Sequence, residues 1–91
     1  MTGEAARILL IDDQHDVRDS VADMLRVLGY QAHAVATGDE AIHLADAEDF
    51  DLVITDLGMP GLNGLELARA LHRDQPELPI LLLTGWGNQY E

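Results

Sequence analysis

Ile8-Leu9-Leu10-Ile11-Asp12-Asp13, residues 8–13, is a four-residue aliphatic run that ends on two carboxylates. Two later stretches repeat its form: Leu52-Val53-Ile54-Thr55-Asp56, and Ile80-Leu81-Leu82-Leu83-Thr84-Gly85. Short continuous apolar runs bounded by polar or turn residues read as strands buried on both faces, the habit of parallel sheets covered by helices. The segments between them carry helical patterns. Val17, Val21, Met24, Leu25 and Leu28 fall at helical spacing, and Gly29 supplies a C-terminal stop. Thr37-Gly38-Asp39-Glu40 has the form of a capping box opening a helix that runs to about Ala47. Asn63 is placed to cap a third helix carrying Leu65, Ala68 and Leu71, closed by Pro76. Gln31–Val35 mixes Ala and Val with Gln and His, which suits an edge strand. The expected order is β-α-β-α-β-α-β, an α/β chain with right-handed crossovers.

Composition narrows the function. The chain has 91 residues, 17 acidic and 5 basic, for a formal charge of −12. The basic residues are all arginine, and lysine and cysteine are absent. Such a charge argues against nucleic acid or an anionic membrane as direct partner. No run approaches the roughly 18 apolar residues of a membrane span, and the first residues have no secretory character, so a cytoplasmic location is expected. Without cysteine there is no thiolate zinc site, and without lysine there is no Walker loop or Schiff base. The size suits one domain, expected over residues 7–87, with residues 1–6 as a flexible leader and 88–91 as a tail. Only eight residues follow Leu83, too few for another strand and helix, so the fold is expected to break off after its fourth strand.

The carboxylates carry the chemistry. Asp12 and Asp13 follow the first strand, and Asp56 ends the third run. In open α/β sheets ligands bind beyond the carboxyl ends of the strands, where strand order reverses. If the first and third strands are neighbours, the three carboxylates share one crevice. They then raise one another's pKa unless a hard cation such as Mg²⁺ neutralises them. A carboxylate beside such an ion is suited to attack an activated phosphoryl group in line. Thr84 would add a hydroxyl to the same crevice, and Gly85 leaves room for a backbone N–H to approach.

Taken together, Asp12-Asp13, then Asp56-Leu57-Gly58-Met59-Pro60-Gly61-Leu62-Asn63-Gly64, then Leu82-Leu83-Thr84-Gly85, resemble the receiver domain of two-component response regulators. The resemblance runs from about Arg7 to Gly87. It implies a flavodoxin-like, doubly wound parallel sheet of order 2-1-3-4-5, of which this chain would hold 2-1-3-4 and lack the fifth strand and last two helices. It implies a bacterial phosphoprotein that takes a phosphoryl group from a sensor histidine kinase or a phosphotransfer domain, with Mg²⁺ as cofactor. Carried over by motif, Asp56 is the phosphoacceptor, and Asp13 and Asp12 are metal ligands. The Gly58 backbone carbonyl is a further ligand. Thr84 is the switch hydroxyl, with the Gly85 backbone beside it. The family's lysine, placed on its fifth strand, has no counterpart here.

Simpler readings stand beside these. Asp13 alone serves equally well as a helix N-cap. Asp56 alone reads as a turn residue before Met59-Pro60, and Thr84 as an ordinary strand-end hydroxyl. His15, His33, His43 and His72 are scattered and form no ligand set; His15 reads as a surface residue. Asp12-Asp13-Gln14-His15-Asp16 also fits the acidic motif of prenyl-transfer enzymes, but those need a large helical domain. A phosphatase of similar topology would want an Asp-x-Asp pair and a late basic residue. The resulting expectation is a signalling module that turns over no external substrate, cut from a response regulator or hybrid kinase with a covalently linked kinase or output domain. The competing expectation is a receiver-like interaction module that works without phosphorylation, since the lysine is missing. Such a module would associate with itself or a partner through its exposed fourth strand.

Overall fold

A computed structural model describes residues 5–58 and 63–83. The elements alternate as read: β1 (Arg7–Ile11), α1 (His15–Val27), β2 (Gln31–Val35), α2 (Gly38–Ala47), β3 (Leu52–Asp56), α3 (Gly64–Asp74) and β4 (Ile80–Leu83). The four strands form one parallel sheet in the order β2-β1-β3-β4. The chain steps outward from β1 to β2, then returns to β1's other side for β3, so the switch of direction falls between β1 and β3.

Side chains alternate across the sheet and create two cores. Leu9, Ile11 and Val53 face α2 and α3, where Ala41, Ala45, Leu67 and Leu71 close over them with Phe50 and Leu78. Ile8, Leu10, Ile54 and Ala32 face α1, which contributes Ala22 and the partly buried Val21 and Leu25. The central strands are apolar on both faces because both faces are covered.

Two helix stripes differ from the spacing-based expectation. In α1 the covered residues are Val21, Ala22 and Leu25, whereas Val17, Met24 and Leu28 are exposed. The small Ala22 makes the seam against the sheet, so the larger neighbours at its margins are displaced outward. In α3 the fully buried residues are Leu67 and Leu71, while Leu65 is exposed.

Helix ends follow local chemistry. Thr37 Oγ1 accepts from Glu40 N at 3.2 Å, but the Glu40 carboxylate accepts from Ala36 N at 3.1 Å, one residue before the reciprocal position of a capping box. Asn63 and Glu66 make the full reciprocal box at the start of α3. Gly29 ends α1 at φ +100°, a left-handed conformation that glycine adopts without a Cβ penalty.

β4 has the apolar run of a strand covered on both faces but was expected to stand exposed in this chain, and it does in part. Leu81 is 50% exposed, on the face covered elsewhere by α1. α1 lies over β1 and β2, and β4 pairs with β3 alone among the described residues. Ile80 nevertheless packs into the α2/α3 core, and Leu83 against the α1 core.

Three arginines each donate to a main-chain oxygen, and two of them also pair with a carboxylate, Arg7 with Glu48 and Arg26 with Asp23. At the amino end of the sheet Arg7 donates to Asp49 O at 2.9 Å, pairs with Glu48, and lies 5.0 Å from the centroid of the Phe50 ring. Arg26 donates to Ala32 O at 2.9 Å, and Arg18 to Asp12 O at 2.9 Å.

Gly29→Ala meets open space but a strained φ, so it should lower stability by about 1 kcal/mol. Leu9→Ala, at a fully buried site, should cost about 2–5 kcal/mol. Urea unfolding of the two variants checks this ranking.

Candidate functional site

The β1–β3 pairing sets Ile8 against Leu52 and Ile11 against Thr55, so the chains leave the two strands side by side as Asp12 and Asp56. Asp12, Asp13 and Asp56 each offer a carboxylate oxygen, and these oxygens lie within 4.8 Å of one another. Opposite ligands of an octahedral Mg²⁺ stand roughly 4 Å apart, given metal–oxygen distances of about 2.0–2.1 Å. Adjacent ligands stand roughly 3 Å apart and at most one pair among three can be opposite, so the trio would draw in by up to about 2 Å to hold such an ion directly, or reach it in part through water.

The three carboxylates differ in environment. Asp12 is buried, at 6% exposure, and three of its polar atoms are tied. Its N–H donates to Val35 O at 3.2 Å, its Oδ1 accepts from Gln14 N at 2.9 Å, and its carbonyl accepts from Arg18 Nη1 at 2.9 Å. Burial pushes its carboxyl above the ordinary 3.8. The Gln14 N–H opposes that rise, the charges of Asp56 and Asp13 add to it, and Arg18 pulls back. Asp13 is exposed and caps nothing: the N-cap of α1 is Gln14, which makes no side-chain cap bond. The N-cap alternative for Asp13 thus falls away.

Asp56 is half-buried at the end of β3, and its Oδ1 accepts from Gly58 N at 3.2 Å, which limits rotation of the carboxylate. Its backbone is held closely. The buried Thr55 hydroxyl donates to Asp56 O at 3.2 Å, Leu57 N donates to Leu83 O at 2.9 Å, and Gly64 N donates to Leu57 O at 3.1 Å. At Gly64 a Cβ would stand 2.3 Å from Asp56 O and 2.8 Å from Leu57 Cα, so only glycine lets α3 begin this close to β3. Gly58 lies in the same turn and has open space around it.

Thr84, Gly85 and Trp86 lie outside the described residues. His15, in the first turn of α1, is exposed and sits 3.4 Å from Asp16 and 3.3 Å from Asp19, apart from the carboxylate trio. His33 lies against Arg7 and Phe50, and no histidine joins the trio among the described residues. Arg18, Thr55 and Gly64 support the site without having been singled out from the sequence. Arg18 carried a usable signal, because a first-turn helix residue points back toward the strand end that precedes it.

Comparison with known proteins follows the same lines. The family described as response regulator receiver domain matches residues 8–91. The response regulator protein FleR of Pseudomonas aeruginosa is 36% identical over 83 residues, covering 91% of this chain and 18% of FleR. The phosphoglycerate transport system transcriptional regulatory protein PgtA of Salmonella typhimurium is 39% identical over 88 residues, covering 97% of this chain and 21% of PgtA. The chain thus spans about a fifth of the length of these curated relatives. Among solved structures, the response regulator TrrA of Thermotoga maritima, in complex with Mg²⁺-BeF, superposes with a TM-score of 0.86 at 33% identity, covering 93% of this chain and 74% of that one. A second structure, of the histidine kinase ThkA in complex with TrrA, matches with a TM-score of 0.84 at 32% identity, over 94% of this chain and 74% of that one.

The raised carboxyl of Asp12 fixes a sign. A folded-state pKa above the unfolded value gives stability that is present below about pH 3.8 and lost as pH rises through the folded value. Without metal, Asp12→Asn keeps the acceptor for Gln14 N and should raise the melting temperature at pH 7. It should also flatten the decline in stability above the ordinary carboxylate range. Thermal melts at stepped pH in chelator read both effects. Gly64→Ala should cost about 1–3 kcal/mol by overpacking and weaken Mg²⁺-dependent stabilisation, because the clash falls on the Asp56 backbone.

Proposed function

The chain belongs to the response regulator receiver domain family, and on that premise we propose that it accepts a phosphoryl group on Asp56 from a histidine kinase or phosphotransfer domain, in a Mg²⁺-dependent step. The observation that carries this reading is the convergence of Asp12, Asp13 and Asp56 within 4.8 Å at the switch between β1 and β3. Support comes from one relative of similar fold, TrrA, seen in one structure in complex with Mg²⁺-BeF and in another with a histidine kinase.

An oxygen of Asp56 attacks the phosphorus of a phosphohistidine in line. The new P–O bond forms as the P–N bond breaks, and the imidazole departs with the bonding electron pair. The Gly58 N–H holds the Asp56 carboxylate in one rotation, and Thr55 and Gly64 fix the backbone beneath it. Asp12, Asp13, Asp56 and the Gly58 carbonyl are assigned to hold the cation. When bound, Mg²⁺ supplies positive charge against the phosphoryl oxygens. Thr84 and the Gly85 backbone are assigned hydrogen bonds to a phosphoryl oxygen, Thr84 acting as the switch. Hydrolysis of the acyl phosphate resets the module, which turns over no external substrate and is no enzyme in that sense. No helix among the described residues is long and apolar enough to cross a membrane. A covalently linked output or kinase domain fits the fifth of each curated relative that the match occupies.

Incubation with a small acyl phosphate and Mg²⁺ should add one phosphoryl group, sensitive to hydroxylamine and visible by intact mass. The label should vanish in Asp56→Asn and in chelator. Metal binding with no label would favour the phosphorylation-independent interaction module; no metal binding would remove the assignments of Asp12 and Asp13.

A further inference from the structure

Arg18 sits in the first turn of α1, half-buried, and turns back over the end of β1. Three acidic side chains converge nearby, yet among the described residues Arg18 has no carboxylate within 4.0 Å. Its guanidinium instead donates to the Asp12 carbonyl at 2.9 Å, while its own N–H donates to Gln14 O at 2.9 Å. That carbonyl belongs to the peptide joining Asp12 to Asp13. Asp12 is anchored through its N–H on Val35 and its carboxylate on Gln14, and the guanidinium adds the tie that reaches the plane of the Asp12–Asp13 peptide itself. Asp13, exposed and bonded to no cap, inherits its direction from that plane.

We infer that Arg18 is a positioning residue that fixes the Asp12–Asp13 peptide, and so makes the carboxylate site selective for Mg²⁺ over Ca²⁺. The inference rests on the metal site proposed above and names the regulation of its geometry. Selectivity follows from coordination. Mg²⁺ demands near-octahedral ligands at about 2.0–2.1 Å, whereas Ca²⁺ accepts six to eight at about 2.3–2.6 Å in flexible arrangements. A rigid peptide serves the first ion, and a loosened one penalises it more than the second. The opposite, purely electrostatic role has the opposite sign. A guanidinium near a cation site repels the cation, so removing it would tighten both ions equally.

Isothermal titration with Mg²⁺ and separately with Ca²⁺ decides between them, on wild type, Arg18→Met and Arg18→Lys, with Asp13→Asn as the control for the site. Arg18→Met keeps the packed stem without the donors. It should weaken Mg²⁺ by about tenfold, the scale typical of outer-sphere partners, and Ca²⁺ by distinctly less. Arg18→Lys, which keeps a donor, should recover part of the Mg²⁺ affinity and serves as the second variant if the methionine variant does not fold. Tighter binding of both ions, or an unchanged Mg²⁺ to Ca²⁺ ratio, overturns the inference. Loss of binding in Asp13→Asn alongside unaltered binding in Arg18→Met overturns it while sparing the metal site. No binding by the wild type overturns both.

Discussion

The parallel register of β1 on β3 is the constraint from which the rest of the site follows. Ile8 against Leu52 and Ile11 against Thr55 bring Asp12 and Asp56 out of the sheet side by side. A slip of one residue would turn every core side chain of one strand to the opposite face, setting Leu9 and Ile11 toward α1 and away from α2 and α3. The two cores on either face therefore lock the register, and the register delivers the carboxylates. Site geometry is in this sense a product of core packing several residues away.

What the packing delivers is unfavourable in isolation. Asp12 is buried beside two other acidic groups, and its carboxyl rises in response. The surrounding backbone answers with fixed hydrogen bonds: Gln14 to the Asp12 carboxylate, Thr55 to the Asp56 carbonyl, Gly58 to the Asp56 carboxylate. These contacts hold the groups where like charges would separate them. Three carboxylates so placed repel one another, and a cation among them would relieve that repulsion.

The sequence showed the strands well, because Ile8–Ile11 and Leu52–Ile54 are apolar without alternation, and only a sheet covered on both sides buries such runs. It also showed where α2 and α3 begin, because Thr37 and Asn63 act within four residues of their partners. The acidic trio was legible once two strand ends were seen to carry carboxylates. Less visible were features set by elements distant in the chain. That Ala22, and not Met24, meets the sheet depends on how close α1 lies; that Leu67 replaces Leu65 depends on the roll of α3. The Gly64 contact with Asp56 is a meeting of two backbones across a loop, and no spacing rule reports it. Leu81 lies in a run whose apolar character suits a covered strand, yet it is half exposed because β4 pairs with β3 alone among the described residues.

Three of the five arginines, Arg7, Arg18 and Arg26, spend their donors on main-chain carbonyls. Arg7 and Arg26 also meet a carboxylate, Glu48 and Asp23, yet five cations against 17 acidic groups leave the chain with a net charge of −12. The molecule thus projects a cation-attracting field that reaches about 8–10 Å at ordinary ionic strength and contracts as salt is added. Encounter with a basic docking surface gains speed from that field, while an acidic one is turned away before contact. An excess of 17 acidic over 5 basic residues thus becomes a filter on which proteins approach and a dial set by the ionic strength of the surroundings.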